Sequence, residues 1–454
     1  MPDRPEAGDV VDLTVGEVVH GGWCVARPTS GPAVFVRHAL PGERVRAVIT
    51  QRTSKLARAD ATEILQGSPD RVQPPCPHAH PGGCGGCDWQ HASLPAQRSL
   101  KAAVVGQQLR RIAGIDWEVS VEPMPGEENG LGWRTRVTFA VGRDGVAGLR
   151  RHRSHDVMEI GHCPIAHPLV AAAAATGRTW PGAAWVEVAA APGSGQRAVI
   201  IGGDAPATGI AADTVLSQRT GRTGRSGQAG RTGRTGRPKV VRGTGYLRQT
   251  AAGRDWRVSA AGFWQVHPRA ADTLAAAVLD ALRPQPGEVA LDLYCGAGLF
   301  AGALAGAVGP SGTVIGIEAD PAAVRDARHN LRATPWARVH RGDAALVLAR
   351  NGLSGASLAV ADPPRTGLAR PVIDLLSAPS APGQGSHAGN GGQIRRIAYV
   401  SCDPATLARD IALLRAAGWT LEALRGFDAF PMTHHVECLA TLTRTPADGT
   451  TMAG

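Results

Sequence analysis

The sequence predicts a multidomain chain. A small N-terminal OB-like β-barrel comes first, then a β-rich central domain carrying a cysteine group, then a C-terminal α/β domain of the doubly wound, Rossmann-like class. Three observations predict this. Apolar and polar residues alternate in short runs around Gly and Pro up to residue 66, and again from 131 to about 260, which is the period of half-buried strands. From 268 onward strand-like and helix-like runs take turns, the mark of a parallel sheet covered by helices. At 454 residues the chain also exceeds what one hydrophobic core can hold, so roughly two to four domains are expected.

The first domain, 8–66, reads as a small antiparallel barrel through "VGEVVHGGWCVAR", "AVFVRHALPGERVRAVIT" and "LARADATEIL". Barrels of this size bind oligonucleotides on a basic face or act as spacers. The second, 67–262, holds the cysteine group at 67–95. A basic amphipathic helix follows at 96–114 and is expected to pack on the C-terminal domain. Short strands then run from "WRTRVTFAV" to "WRVSAAGF". The stretch 219–237, "RTGRTGRSGQAGRTGRTGR", holds six arginines and no acid, so the net charge of +10 falls to 10 − 6 = +4 without it. Such composition cannot pack a core and predicts a disordered Arg/Gly insertion over 219–238, which either grips phosphates or serves as a solvated spacer. The overall positive balance points to an anionic partner such as nucleic acid.

The third domain, 263–445, supplies strands "VALDLY", "TVIGIE", "LAVAD", "RIAYVS" and "ECLATLTR", with helices at 297–307 and 321–333 among them and a surface loop at 377–393. No apolar run approaches the ~20 residues of a membrane span. The first residues lack the charged and apolar regions of a secretion signal. A soluble, cytoplasmic and monomeric protein is expected, and a cluster among its eight cysteines is more readily a metal site than a set of disulfides.

"LDLYCGAGLF" (291–300) is a strand, a glycine turn and a helix start. Gly296 and Gly298 let a ligand approach a helix N-terminus, and Glu318 at the tip of the next strand can accept from two ribose hydroxyls. NAD and S-adenosylmethionine both fit. The third glycine of the dinucleotide fingerprint is displaced by one residue, at Gly302, which favours the methyl donor. Tyr294 and Leu299 flank the turn, and Asp362 heads the rigid "DPPR" turn of the next strand; both groups are candidates for cofactor contact.

In "YVSCDPATLARD" (399–410) a bare thiol, Cys402, stands between a strand and a helix starting near Pro404. A thiol there is either an inert small hydrophobe or a nucleophile whose pKa is lowered by the helix N-terminus. Beside a methyl donor, a thiolate has one evident use. Addition to C6 of a pyrimidine makes C5 nucleophilic, and a base must then remove the C5 proton. Glu437 in "FPMTHHVECLATLTR" is the candidate base, its pKa raised by partial burial.

These motifs resemble the RNA uracil-C5 methyltransferases. Ser401, Cys402, Asp403, Pro404, Thr406, Arg409 and Asp410 match the nucleophile motif. Phe430, Pro431, Thr433, His435, Val436 and Glu437 match the base motif, Asp362 to Arg365 match Asp-Pro-Pro-Arg, and Leu293 to Gly298 match the cofactor motif. "GFWQVHP" resembles the segment whose glutamine, here Gln265, contacts the cofactor, with His267 in place of an asparagine. Gly21-Gly22, Val25-Ala26-Arg27 and Phe35 to Arg46 resemble a TRAM RNA-binding domain. The resemblance implies S-adenosylmethionine as donor and uridine in ribosomal or transfer RNA as acceptor, with Cys402 attacking C6 and Glu437 taking the proton. An inactive RNA-binding protein on this scaffold, or a methyltransferase for another base, are the alternatives.

Cys76, Cys84 and Cys87, with seven and two residues in the gaps, and the distant Cys163 suit an iron–sulfur cluster or a zinc site, for which His78, His80 and His91 are further donors. The resemblance implies a 4Fe–4S cluster on the four cysteines, although the first gap is longer than the family's. Its role there is structural or RNA-positioning. "GWRTRVTF" places Trp133, Arg134 and Arg136 either on an RNA-contacting face or, for the tryptophan, in the core. A uridine in folded RNA must be splayed out to be reached.

Overall fold

The computed structural model describes residues 6–28, 31–220, 236–352, 355–378 and 393–444. Most of the expected insertion at 219–238 and of the loop at 377–393 lies outside the described residues. The chain divides into two compact units, one of Met1–Gln107, Gly126–Leu247 and Asp428–His435, the other of Gln108–Pro125, Arg248–Phe427 and Val436–Gly454.

In the first unit, β1 (Val10–Thr14), β2 (Val18–Val19), β3 (Trp23–Ala26), β4 (Val34–Arg37), β5 (Arg44–Arg52) and β6 (Ala57–Gln66) form a six-stranded sheet in the order β1-β5-β6-β4-β3-β2. Along β5, Val45, Ala47 and Ile49 are buried between more exposed neighbours, so the period-2 pattern sets the register. The sheet is antiparallel except for the parallel pair β4 and β6. That pair departs from the all-antiparallel expectation because the β5–β6 hairpin reverses the chain before β6 reaches β4. Glu43 of "LPGERV" is buried and takes both guanidinium arms of Arg71 at 2.6 Å, plus the amides of Leu40 and Ser68. This matches the rule that buried carboxylates are paired. Cys24 is buried, its thiol donating to the Ala39 carbonyl at 3.3 Å and pushed up by burial to about 12, which makes it structural.

Next come α1 (Leu94–Gln108), a π-helical turn over Leu109–Ala113 closed by left-handed Gly114, and β7 (Val121–Pro123), which joins the last sheet. The expected helix over 96–114 is therefore α-helical only to 108. A seven-stranded sheet follows in the first unit. Its strands are β8 (Arg136–Val141), β9 (Ala147–Arg150), β10 (Val157–Glu159), β11 (Ala183–Ala191), β12 (Gln196–Gly203), β13 (Thr214–Gln218) and β14 (Lys239–Arg242), with α2 (Pro168–Ala171) between β10 and β11; the order is β10-β9-β8-β11-β12-β13-β14. Strands β15 (Tyr246–Ala251) and β16 (Arg254–Ser259) form a separate two-stranded ribbon.

The second unit contains α3 (Ala270–Leu282), β17 (Val289–Leu293), α4 (Leu299–Val308), β18 (Thr313–Glu318), α5 (Pro321–Asn330), β19 (Ala337–Arg341), α6 (Ala344–Asn351), β20 (Leu358–Ala361), α7 (Arg370–Ser377), β21 (Arg396–Ser401), α8 (Pro404–Ala416), β22 (Trp419–Asp428) and β23 (Glu437–Arg444). The sheet order is β19-β18-β17-β20-β21-β23-β22-β7. Pairs from β19 to β21 are parallel, as expected. Strand β23 runs antiparallel to both β21 and β22, which corrects the expectation of a wholly parallel sheet. A parallel pairing needs a crossover of a dozen or more residues, and only residues 429–436 join β22 to β23. Among the described residues no helix is long and apolar enough to cross a membrane.

Candidate active site

Leu293, Ile317 and Ala361 stand in register across β17, β18 and β20. Tyr294, Glu318 and Asp362 therefore reach the carboxyl end of the sheet at one level, where doubly wound sheets bind ligands. Tyr294 is held at φ 64°, a left-handed conformation that costs an aromatic residue energy and marks ligand sites more often than plain turns. Gly296 (φ 54°) and Gly298 (φ 95°), the latter capping α4, complete the turn, and a Cβ on Gly296 would meet nothing within 4 Å. Glu318 accepts from the Gly296 amide at 2.9 Å and the Asp320 amide at 2.7 Å. Each oxygen keeps a lone pair for further donors.

Below the turn, buried Asp292 receives the Ala301 amide at 2.6 Å on one oxygen, while its other oxygen has no partner. Burial, then Asp362 and Glu318, raise its pKa well above the carboxylate range. An orphaned buried oxygen under an open glycine turn fits a ligand with donor groups, and an adenosine-bearing sulfonium is such a ligand. Leu299 opens α4 and is buried, and Gln265 is buried in the loop between β16 and α3. The structure thus gathers Tyr294, Gly296, Gly298, Leu299, Glu318 and Asp362 on adjoining strand ends. Gln265 comes from a separate loop.

The antiparallel edge supplies the rest. Ser401 pairs with Cys438, so Cys402, just past the end of β21, lies across from Glu437, the first residue of β23, whose charge it feels. Glu437 is buried, and its carboxyl is raised well above its usual range by burial and then by Asp362, with Arg365 opposing. Asp362 is itself pushed up to about 7 by burial. Cys402 is half-buried and pushed up to about 11, by burial first and by Glu437 and Asp362, while Arg365 works against them through charge and a side-chain hydrogen bond. This reverses the expectation that the α8 N-terminus lowers the thiol pKa. Asp403 is the N-cap of α8, and its carboxylate takes the Thr406 amide at 2.8 Å. An anion thus already occupies that helix end, and the thiol lies among carboxyls.

Sequence reasoning named Arg365 only as part of a motif and missed its place between the thiol and the two carboxyls. It also missed what holds that arginine. Thr406 donates to the Arg365 carbonyl at 3.0 Å, Arg409 to the Thr366 carbonyl at 2.7 Å, and Asp410 takes the Leu368 amide at 2.8 Å and the Tyr399 hydroxyl at 2.7 Å. A Cβ on Gly367 would fall 2.3 Å from both Asp410 and Thr406, at φ 78°, so glycine is obligatory there. The motif residues Thr406, Arg409 and Asp410 are thus the clamp on the turn at 362–368.

The rest of the base motif belongs to the first unit. Lys101, fully buried, donates to Asp428 at 2.5 Å and to the Phe430 carbonyl at 3.0 Å. Gln97 takes the Met432 amide at 2.7 Å, and His434 pairs with Asp88 at 2.7 Å. Asp88 and Trp89 both give their amides to the Met432 carbonyl at 3.0 Å. Residues 428–435 are thereby tied down just ahead of Glu437.

In the first unit Cys76, Cys84, Cys87 and Cys163 line one small cavity, with Gln90, Arg134, Ile160 and Ile165 among its other walls and no carboxylate. The Gly86 amide donates to the Cys84 sulfur at 3.4 Å. Burial, and each other's charge, raise the Cys84, Cys87 and Cys163 thiols. Among the described residues no three His, Cys, Asp or Glu side chains converge closely enough to hold one ion. Of the segment 132–139, Trp133 is buried, 6.1 Å from the ring of Phe430, and Arg136 pairs with Glu187 at 2.6 Å. The tryptophan is a core residue rather than a stacking surface for RNA.

The sequence model of the tRNA (uracil-5-)-methyltransferase family matches residues 356–445. That of the TRAM domain matches 4–62, and that of protein-L-isoaspartate(D-aspartate) O-methyltransferase matches 265–348. The chain is 46% identical over 446 residues to an uncharacterized RNA methyltransferase of Streptomyces avermitilis, covering 96% of this chain and 98% of that one. It is 48% identical to another from Streptomyces coelicolor, over 96% and 93%. Among solved structures, the tRNA (uracil-54, C5)-methyltransferase of Pyrococcus abyssi, in complex with S-adenosyl-L-homocysteine, shares the fold with a TM-score of 0.69. It has 22% identity and covers 95% of this chain and all of that one.

Proposed function

Because this chain belongs to the RNA methyltransferase family and carries the tRNA (uracil-5-)-methyltransferase signature, we propose that it methylates C5 of a uridine in structured ribosomal or transfer RNA, with Cys402 as nucleophile and Glu437 as base. The observation that carries this reading is the juxtaposition of Cys402, just past the end of β21, and Glu437, at the start of β23, with Arg365 and Asp362 beside them. An RNA-binding protein without chemistry has no use for a thiol and a carboxyl juxtaposed in a desolvated pocket. Methylation of an exocyclic amine needs no thiol either.

Tyr294, Gly296, Gly298, Leu299, Glu318, Asp362 and Gln265 would hold the donor, which would supply an electrophilic methyl group and a positive charge. Cys402 loses its proton as its sulfur bonds to C6, and the electron pair this pushes into the ring makes C5 the nucleophile. Arg365 stabilises the thiolate before attack and again when it departs. Once C5 carries the methyl group, Glu437 takes the C5 proton as the S–C6 bond breaks, and the thiolate is restored. Overall, uridine and the sulfonium become 5-methyluridine, a thioether and one proton.

We further propose that Cys76, Cys84, Cys87 and Cys163 hold a 4Fe–4S cluster. Four thiols line one cavity with no carboxylate in its walls, a donor set that suits a cluster whose four irons would each take one thiolate. The cluster has no place in the transfer steps. Iron and sulfide content, with the absorption spectrum of anaerobically purified protein, tests it: one cluster per chain, lost in Cys84→Ser, is expected. Zinc in its place would overturn the assignment. RNA containing 5-fluorouridine tests the mechanism. A denaturation-stable adduct through Cys402 is expected, and active enzyme that forms none would defeat it.

A further inference from the structure

Among the described residues, strand β16 pairs with no strand but β15. Its other edge is held by side chains of α5 that the chemistry above does not use. Asn330 exchanges two hydrogen bonds with Arg257, accepting from its amide and donating to its carbonyl, both at 2.9 Å. One turn earlier, Asp326 takes the Ser259 amide at 2.6 Å and the Arg257 guanidinium at 3.2 Å. Both α5 side chains are buried, and their four-residue spacing sets them on one face of the helix. They satisfy this edge of β16 as a neighbouring strand would. The second N–H of Asn330 goes elsewhere, to the Ala297 carbonyl at 3.0 Å. Ala297 stands between Gly296 and Gly298, so this one side chain joins the glycine turn to β16. Two carbonyl partners also fix which end of the amide is nitrogen.

A second contact ties the same pieces together. A Cβ on Gly302, in α4, would fall 2.5 Å from the Trp256 ring, so the glycine displaced from the dinucleotide fingerprint is the seat of a tryptophan. The Arg254 guanidinium lies over that ring at 5.3 Å and donates to the Gly302 carbonyl at 3.2 Å. The ring of Trp264 is 6.1 Å from that of Trp256, and Gln265 is the next residue. We propose that Asn330 is a positioning residue of the methyl-donor site, locking the glycine turn to β16 and thereby setting the Gln265 loop relative to that turn. The inference rests on the donor proposed in the preceding section. Neither piece holds its shape alone. Two glycines make the turn soft, and residues 260–269 form no helix or strand. Affinity for a ligand that needs both then depends on how well they are fixed before it arrives.

The test is calorimetric titration of S-adenosyl-L-homocysteine into the full-length protein, with no RNA present. Asn330→Ala should weaken binding about tenfold, the effect of removing a buried hydrogen-bond partner. In a Gln265→Ala background the same substitution should weaken it only about threefold or less, because the group it positions is gone. Gly302→Ala, which displaces the Trp256 ring and leaves Asn330 in place, should weaken binding in the same direction, and it carries the test if the Asn330 variant does not fold. Unchanged affinity in the single variants, or an Asn330→Ala loss of equal size with and without Gln265, would overturn the proposal while the donor assignment stands. Wild-type protein that binds no S-adenosyl-L-homocysteine would defeat the donor assignment itself, and this inference with it.

Discussion

The strand ends of the second unit bury two carboxyls and a thiol around one guanidinium, Arg365, whereas a large cleft of the first unit sets five guanidiniums around one carboxylate. In the first case desolvation pushes the two carboxyls and the thiol up. In the second, burial and the charges of Arg58 and Arg37 lower the pKa of Arg153. On the proposed mechanism the strand-end site changes bonds, so substitutions there should lower turnover and leave RNA affinity intact.

The largest effect expected is from Cys402→Ala, which should lower turnover by about 10⁴-fold or more, as loss of a nucleophile does, with RNA affinity unchanged in a binding titration. Glu437→Gln should cost about 10²–10⁴-fold, the range of a general base, and should accumulate enzyme bound covalently to methylated RNA, visible on denaturing gels. A pH series sharpens the contrast further. With the Cys402 thiol at about 11, the reactive fraction below that value grows about tenfold per pH unit, so single-turnover adduct formation should climb from pH 7 to 9. Arg365→Gln removes the group that lowers this pKa, so its profile should shift to higher pH and its rate at pH 8 should fall. A rate flat in pH would show that the thiol is already ionised.

Much of the second unit was legible because its signals are local. The strands 313–318, 396–401 and 437–444 have the expected bounds, since each is an apolar run closed by turn residues. The cofactor turn was legible because Gly296 and Gly298 need left-handed angles that few other residues adopt. The register that sets Cys402 across from Glu437 was not, because it depends on pairing between strands that only the folded sheet specifies. The sign of the Cys402 shift was misread for a related reason. A helix start is visible in "DPATLARD", but the desolvated neighbours Glu437 and Asp362 come from other strands. Trp133 could not be assigned from its own segment, since its partner Phe430 is nearly 300 residues away. The five arginines that line the large cleft of the first unit come from β6, from the lip of β8 and from the end of β9 with the turn after it, and no single window of sequence contains them.

Residues 428–435 belong to the N-terminal unit although most of the C-terminal unit precedes them in the chain. Truncation therefore cannot isolate a working N-terminal half. A fragment stopping before Asp428 would strand the ammonium of Lys101 in a dry interior without its counterion, a defect of about 3–5 kcal/mol. Anyone grafting this N-terminal half onto another enzyme must carry those eight residues with it, as a separate strap stitched back in.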